Sequence, residues 1–122
     1  MMIPAQRLFL ARATVDMRRS FDGLSAIVIG QLNRDPLSGD AFLFVGRDRR
    51  RLKVLLWDGD GFWLFLKRLS KGCFVLPEPA LPREAREVMH LDAAAWGALL
   101  SGVEVTVRRR SPRFARGEIM DK

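Results

Sequence analysis

Two apolar runs, Arg51–Trp57 and Phe62–Lys67, flank the tetrapeptide Asp58-Gly59-Asp60-Gly61. Aspartate and glycine are turn residues, and alternating apolar runs on both sides of them predict a β-hairpin. The turn also sets side-chain parity. A two-residue loop at Gly59-Asp60 and a four-residue loop at 58–61 both place Trp57 opposite Phe62; only a three-residue loop or a bulge would invert the faces. One face then carries Leu52, Val54, Leu56, Trp63 and Phe65, with Lys67 at its far end. It is almost wholly apolar and is expected to be core. The other carries Trp57, Phe62, Leu55 and Leu64 near the turn, then Arg51, Lys53, Leu66 and Arg68. This mixed face has two readings. Its cations would neutralise phosphates while its rings stack on unpaired bases, which makes a nucleic-acid surface. Alternatively, Trp57 and Phe62 pack under the second helix and the cations snorkel to the rim.

The rest of the chain supplies partners for the hairpin. Leu8 to Ala13 reads as a first strand. From Phe21 the apolar residues Phe21, Leu24, Ile27, Val28 and Leu32 fall at helical spacing, which predicts a helix from about 17–20 to about 32. Thr14, Asp16 and Ser20 are candidate N-caps. Residues 33–40 are loop; Ala41 to Gly46 is a strand, joined to the hairpin by Arg47-Asp48-Arg49-Arg50. Lys71-Gly72 makes a turn before a fourth short strand at Cys73–Leu76, so an antiparallel meander is expected. Pro77, Pro79 and Pro82 interrupt regular structure, and 83–91 is ambiguous between strand and helix. Asp92 to Leu100 predicts a short helix capped by Asp92 and ended near Gly102, and Val103–Val107 a last strand. The expected fold class is α+β: an antiparallel meander packed by one N-terminal helix and one short C-terminal helix. Residues 1–107 would form one domain, and 108–122 a basic, flexible tail.

Charge narrows the function. The net charge is +7 and the pI is near 11.0, which points to a polyanionic partner, nucleic acid before an anionic membrane surface. The charge is uneven. Residues 108–122 hold six cations and two acids; residues 1–107 hold 15 and 12. The stronger local signal is Arg47, Arg49, Arg50, Arg51 and Lys53, with only Asp48 among them. A single cysteine, Cys73, excludes an intrachain disulfide and favours a reducing compartment. With a single histidine, His90, no structural zinc site can be assembled within one chain. No apolar run approaches a membrane span or a signal peptide, so a cytoplasmic location is expected.

Catalytic patterns are not found in the sequence. There is no phosphate-binding glycine loop followed by Lys and Ser/Thr, no nucleophile elbow, and no Cys/His pairing. Asp58-Gly59-Asp60-Gly61 lacks the later ligands of a calcium loop. A metal-dependent nuclease would need a defined carboxylate set, and spacing selects none from the fourteen acids. No enzyme activity, cofactor or metal is expected.

Three blocks nevertheless stand in a specific order: Asp16-Met-Arg-Arg-Ser-Phe-Asp-Gly-Leu24; Asp35-Pro-Leu-Ser-Gly39 with Phe42-Leu-Phe44; and Lys53 through Leu69, trailed by Gly72, Phe74 and Pro77. Together they resemble the TnpB-type accessory protein of the IS66 insertion-sequence family, over roughly Met2 to Gly102. The resemblance implies a bacterial protein encoded beside a separate, larger DDE-type transposase and accessory to transposition. It brings no catalytic residues.

The motif residues also have physical readings. Asp16 most simply caps the first helix, which Phe21 and Leu24 anchor. Arg18 and Arg19 would sit unfavourably at the positive end of that helix. They would need a carboxylate (Asp16, Asp22 or Asp58) or a phosphate beside them. Gly59 and Gly61 would take positive-φ turn positions.

Two functions follow. In the first, DNA or RNA binds to Arg18, Arg19, Arg47, Arg49, Arg50, Arg51, Lys53, Lys67 and Arg68. In the second, the protein is an adaptor for the transposase or the element's other proteins, anchored by Trp57, Phe62 and Trp96. A homo-oligomer is a further option, and no membrane partner is expected.

Overall fold

The computed structural model describes residues 5–77 and 87–102. Its elements are β1 (Leu8–Ala11), α1 (Phe21–Gly30), β2 (Ala41–Val45), β3 (Arg51–Trp57), β4 (Phe62–Arg68), β5 (Val88–Leu91) and α2 (Ala93–Leu100). The strands form one five-stranded sheet in the order β4-β3-β2-β1-β5.

β2 reads Ala-Phe-Leu-Phe-Val, and all its residues are buried. A strand with no polar face must be covered on both sides. Ala41, Leu43 and Val45 share one face with Leu10, Leu52, Val54 and Leu56, under Trp96 and Leu99 of α2. Phe42 and Phe44 share the other with Phe9 and Leu55, under Leu24, Ile27 and Val28 of α1. The sheet is thus the middle of three layers.

The α+β class holds, but the sheet is mixed and not a meander throughout. β1 runs parallel to β2, with Leu8 opposite Ala41 and Leu10 opposite Leu43. A parallel pair cannot be joined by a tight turn, and α1 is the crossover that links it. β5 then returns antiparallel on the outer side of β1. Only β2, β3 and β4 form the expected meander. Cys73–Leu76 is not a strand. Phe74 is instead buried against the α2-side core, and its N–H donates to the Arg49 carbonyl at 2.6 Å. The expected strand at Val103–Val107, the tail at 108–122 and residues 83–86 of the ambiguous stretch lie outside the described residues; of the rest of that stretch, Val88–Leu91 is strand.

The hairpin register is the one parity requires: Trp57 faces Phe62, and every pair follows to Arg51 opposite Arg68. Gly59 takes the left-handed conformation at φ +112°, whereas Gly61 does not. The expected core face is closed only as far as β3. Leu52, Val54 and Leu56 are buried, but Trp63 is 52% exposed. Among the described residues β4 is the outermost strand, with a neighbour on one side only.

α1 buries Leu24, Ile27 and Val28 as expected, but Phe21, at its first position, is 41% exposed, and the buried Leu32 lies past the helix end. α1 starts at Phe21, and its N-cap Ser20 makes no side-chain capping bond. Asp16 caps no helix; its carboxylate accepts from the Arg18 amide at 2.9 Å and closes a separate turn. α2 begins as read: Asp92 accepts from the Ala95 N–H at 2.8 Å. Asp40, 1% exposed, is a buried carboxylate that needs compensation. Arg7 donates to it at 3.1 and 3.3 Å, and Ser38 at 3.0 Å.

Leu43→Ala, at the centre of the sheet, should cost about 2–5 kcal/mol, and Asp92→Ala about 1 kcal/mol through the lost cap. Urea unfolding monitored by circular dichroism measures both.

Candidate nucleic-acid interface

The basic residues converge because three strands meet at one end of the sheet. β2 ends there, β3 begins there and β4 returns there, which brings Arg47, Arg49, Arg50, Arg51 and Arg68 together. A parallel bridge between Val15 and Gly46 lays the segment before α1 beside the same end. The crossing is tight: a Cβ on Gly46 would stand 2.6 Å from the Met17 Cγ, so a larger residue would force the Met17 side chain to shift. Arg18 and Arg19 therefore approach from the α1 side.

One carboxylate shapes the turn. Asp48 Oδ1 accepts from the Arg50 amide at 2.9 Å, and Oδ2 from the Arg51 guanidinium at 3.1 Å. The Arg50 amide bond is the main cause of an Asp48 pKa below the ordinary value. Arg49 adopts φ +59°, a conformation that costs a non-glycine residue about 1–2 kcal/mol. Its carbonyl is held by Phe74, and that of Arg50 by Leu69. A cleft of about 590 Å³, lined by Asp48, Arg50, Arg51, Arg68, Leu69 and Ser70, opens at this corner.

The nine candidate cations fall into three groups. Two serve the fold. Lys53 Nζ donates to the carbonyls of Met17 at 2.9 Å and Arg19 at 2.7 Å, and Lys67 Nζ donates to the Leu100 carbonyl at 2.6 Å, at the C-terminal end of α2. Two are paired at the surface, Arg51 with Asp48 and Arg18 with Asp16. The second pair is bidentate, with Arg18 Nε donating to Oδ1 at 3.1 Å and Nη2 to Oδ2 at 2.6 Å. The Arg18 guanidinium holds the Asp16 carboxyl far below its ordinary range, with the Arg18 amide second and Arg47 a smaller contributor. The Arg18 side chain is 90% exposed, so the pair adds little stability. The remaining five, Arg19, Arg47, Arg49, Arg50 and Arg68, have no carboxylate partner among the described residues.

The aromatic residues are elsewhere. At about 3.3 Å per residue, Phe62 lies about 20 Å along β4 from Arg68. Phe62 contacts Trp57 edge-on, with centroids 5.0 Å apart, and Phe21 of α1 at 6.5 Å. The pair thus packs beside the first helix and not the second. Trp96 is only 7% exposed and fixes α2 to the sheet. The exposed tryptophan is Trp63, stacked on Phe65 at 5.9 Å, with its indole N–H donating to Asp58 at 2.6 Å. No sequence signal marks it, since parity assigned it to the core face. Asp58 also accepts from the amides of Asp60 and Gly61, so its oxygens organise the turn. Among the described residues, no three His, Cys, Asp or Glu side chains are grouped to hold a metal ion.

The family model for IS66 Orf2-like proteins matches residues 6–110, which covers most of the chain. The chain belongs to this family. Its relatives include two Sinorhizobium fredii (strain NBRC 101917 / NGR234) proteins. The uncharacterized protein y4jC is 33% identical over 106 residues, covering 87% of this chain and 86% of the relative. The uncharacterized protein y4hO is 44% identical over 98 residues, covering 80% and 81%. No solved structure matches. The three sequence blocks all lie inside the matched region, so the IS66 Orf2-like family is the setting for both the hairpin and the arginine turn. No helix among the described residues is long and apolar enough to cross a membrane.

Lys53→Met should loosen the segment before α1 and cost about 1–2 kcal/mol, read from urea unfolding. Asp16 has a folded pKa below its unfolded value near 3.8. Its contribution is therefore complete above that value and lost as pH falls through the folded pKa. Carbon-detected NMR should show Asp16 titrating below the ordinary aspartate range, and Asp16→Asn should change the acid limb of the stability curve only slightly, because the pair is exposed to solvent.

Proposed function

We propose that this IS66 Orf2-like protein is a non-catalytic accessory of insertion-sequence transposition that binds nucleic acid through its arginine-rich corner. The observation that carries the reading is the convergence of Arg47, Arg49, Arg50 and Arg68 at one end of the sheet, without carboxylate partners among the described residues. Arg51 and Arg68 stand directly opposite each other across β3 and β4; Asp48 pairs with Arg51, whereas Arg68 has no carboxylate partner among the described residues, and a further anion beside it would relieve the remaining repulsion. Phosphate groups are such anions. The aromatic residues lie too far from this corner to form one continuous base-stacking and phosphate-binding surface with it. The reading is therefore of backbone contacts, which carry no sequence information directly.

A second reading, an adaptor for the transposase, draws on the other end of the hairpin. There Trp57 and Phe62 are half-buried beside Phe21, which is 41% exposed. Aromatic residues of this kind anchor protein interfaces.

Salt-titrated binding to duplex DNA and to RNA tests the first reading. Each phosphate contact contributes about −0.9 to the slope of log affinity against log salt on duplex DNA, so Arg47→Gln with Arg50→Gln should make the slope about 2 units shallower. Absence of binding at low salt, or an unchanged slope, would defeat it. Capture of the transposase that survives high salt would favour the adaptor.

A further inference from the structure

We infer that the outer edge of β4 is a self-association site, where two copies of the chain pair antiparallel about Phe65 into one continuous sheet. Among the described residues β4 is the terminal strand, and its first five residues, Phe62–Leu66, are all apolar. Edge strands are ordinarily guarded by charge, proline, a bulge or shortness. β5, at the opposite edge, is four residues long. β4 is seven residues long and pairs with β3 at every position without a bulge. Its charges stand only at the end, at Lys67 and Arg68, and Trp63 and Leu66 are 52% and 61% exposed.

Hydrogen-bond parity limits how this edge can pair. The Asp58 amide donates to the Gly61 carbonyl and the Leu69 amide to the Arg50 carbonyl. Bonded pairs alternate along an antiparallel ladder, so Leu56–Trp63, Val54–Phe65 and Leu52–Lys67 are the bonded ones. The backbone groups of Phe62, Leu64, Leu66 and Arg68 therefore point outward. Only even-numbered residues can then bond across the new edge, and a two-fold axis must pass through one residue. An axis at Phe65 engages the whole strand: Leu64 bonds Leu66 of the second copy, and Phe62 bonds Arg68.

Charge favours the same arrangement. Antiparallel pairing about Phe65 sets the cationic end of each strand beside the aromatic end of the other, with Arg68 opposite Phe62 and Lys67 opposite Trp63. These are cation–aromatic neighbours. Parallel pairing would set Lys67 and Arg68 beside their own copies. The parity also keeps equivalent faces together, so both α1 helices lie on one side of the joined sheet and both α2 helices on the other.

Sedimentation equilibrium of the full chain tests the inference. The expected mass is twice 13.9 kDa. Leu66→Pro should convert the protein to monomer. It removes an outward N–H that β3 does not use, so the circular dichroism spectrum should be retained. In a Cys73→Ser background, Phe65→Cys should form an intermolecular disulfide, because the two positions face each other as a non-bonded pair. A monomer at all concentrations would overturn the inference. So would a Leu66→Pro dimer that keeps its mass, or a monomer whose Leu64 and Leu66 amides resist hydrogen exchange because another part of the chain covers the edge.

Discussion

β2 buries every side chain it has, and the rest of the architecture follows from meeting that demand. Phenylalanines on one face and smaller aliphatic residues on the other require two separate covers, so the chain must send a helix to each side. α1 provides the first cover while crossing from β1 to β2, and this makes the β1–β2 pair parallel. α2 provides the second only after β5 has brought the chain back to the far edge. Trp96 and Leu99 then close the face that Leu43, Val54 and Leu56 present.

The same topology creates the arginine corner. The end of β2, the start of β3 and the end of β4 lie together, so a five-residue connection and two strand termini pool their charge. Asp48 folds that connection through the Arg50 amide and partly offsets Arg51. A single acid cannot neutralise the arginines around it. The corner is also fixed from behind, since Phe74 and Leu69 hold the carbonyls of Arg49 and Arg50. The segment after β4 thus contributes packing and hydrogen bonds to a site whose charges come from elsewhere.

Local chemistry could be read directly and long-range placement could not. The hairpin register followed from the turn, because side-chain alternation leaves only two choices of face. The Asp92 cap and the buried stripe of α1 were equally local. The parallel pairing of β1 with β2 depends on α1 crossing over the sheet to bring the two strands side by side, and no spacing within either strand encodes that. Trp63 was assigned to the core because parity gives the face of a residue but not whether its strand is internal. The candidate site failed in the same way. Lys53 and Lys67 appeared as free cations, yet each finds a backbone carbonyl more than thirty positions away. The Trp57–Phe62 pair and the basic residues share a strand pair but sit at its two ends.

The Lys53 bonds have a consequence for recognition. By gripping the carbonyls of Met17 and Arg19, this side chain removes backbone freedom from a connecting segment before any ligand arrives. Ordering a residue costs about 1–2 kcal/mol of conformational entropy, and here that cost is met during folding. Arg19 is carried on a pre-organised support continuous with the central hairpin, so an anion that met it would have only its side chain to immobilise.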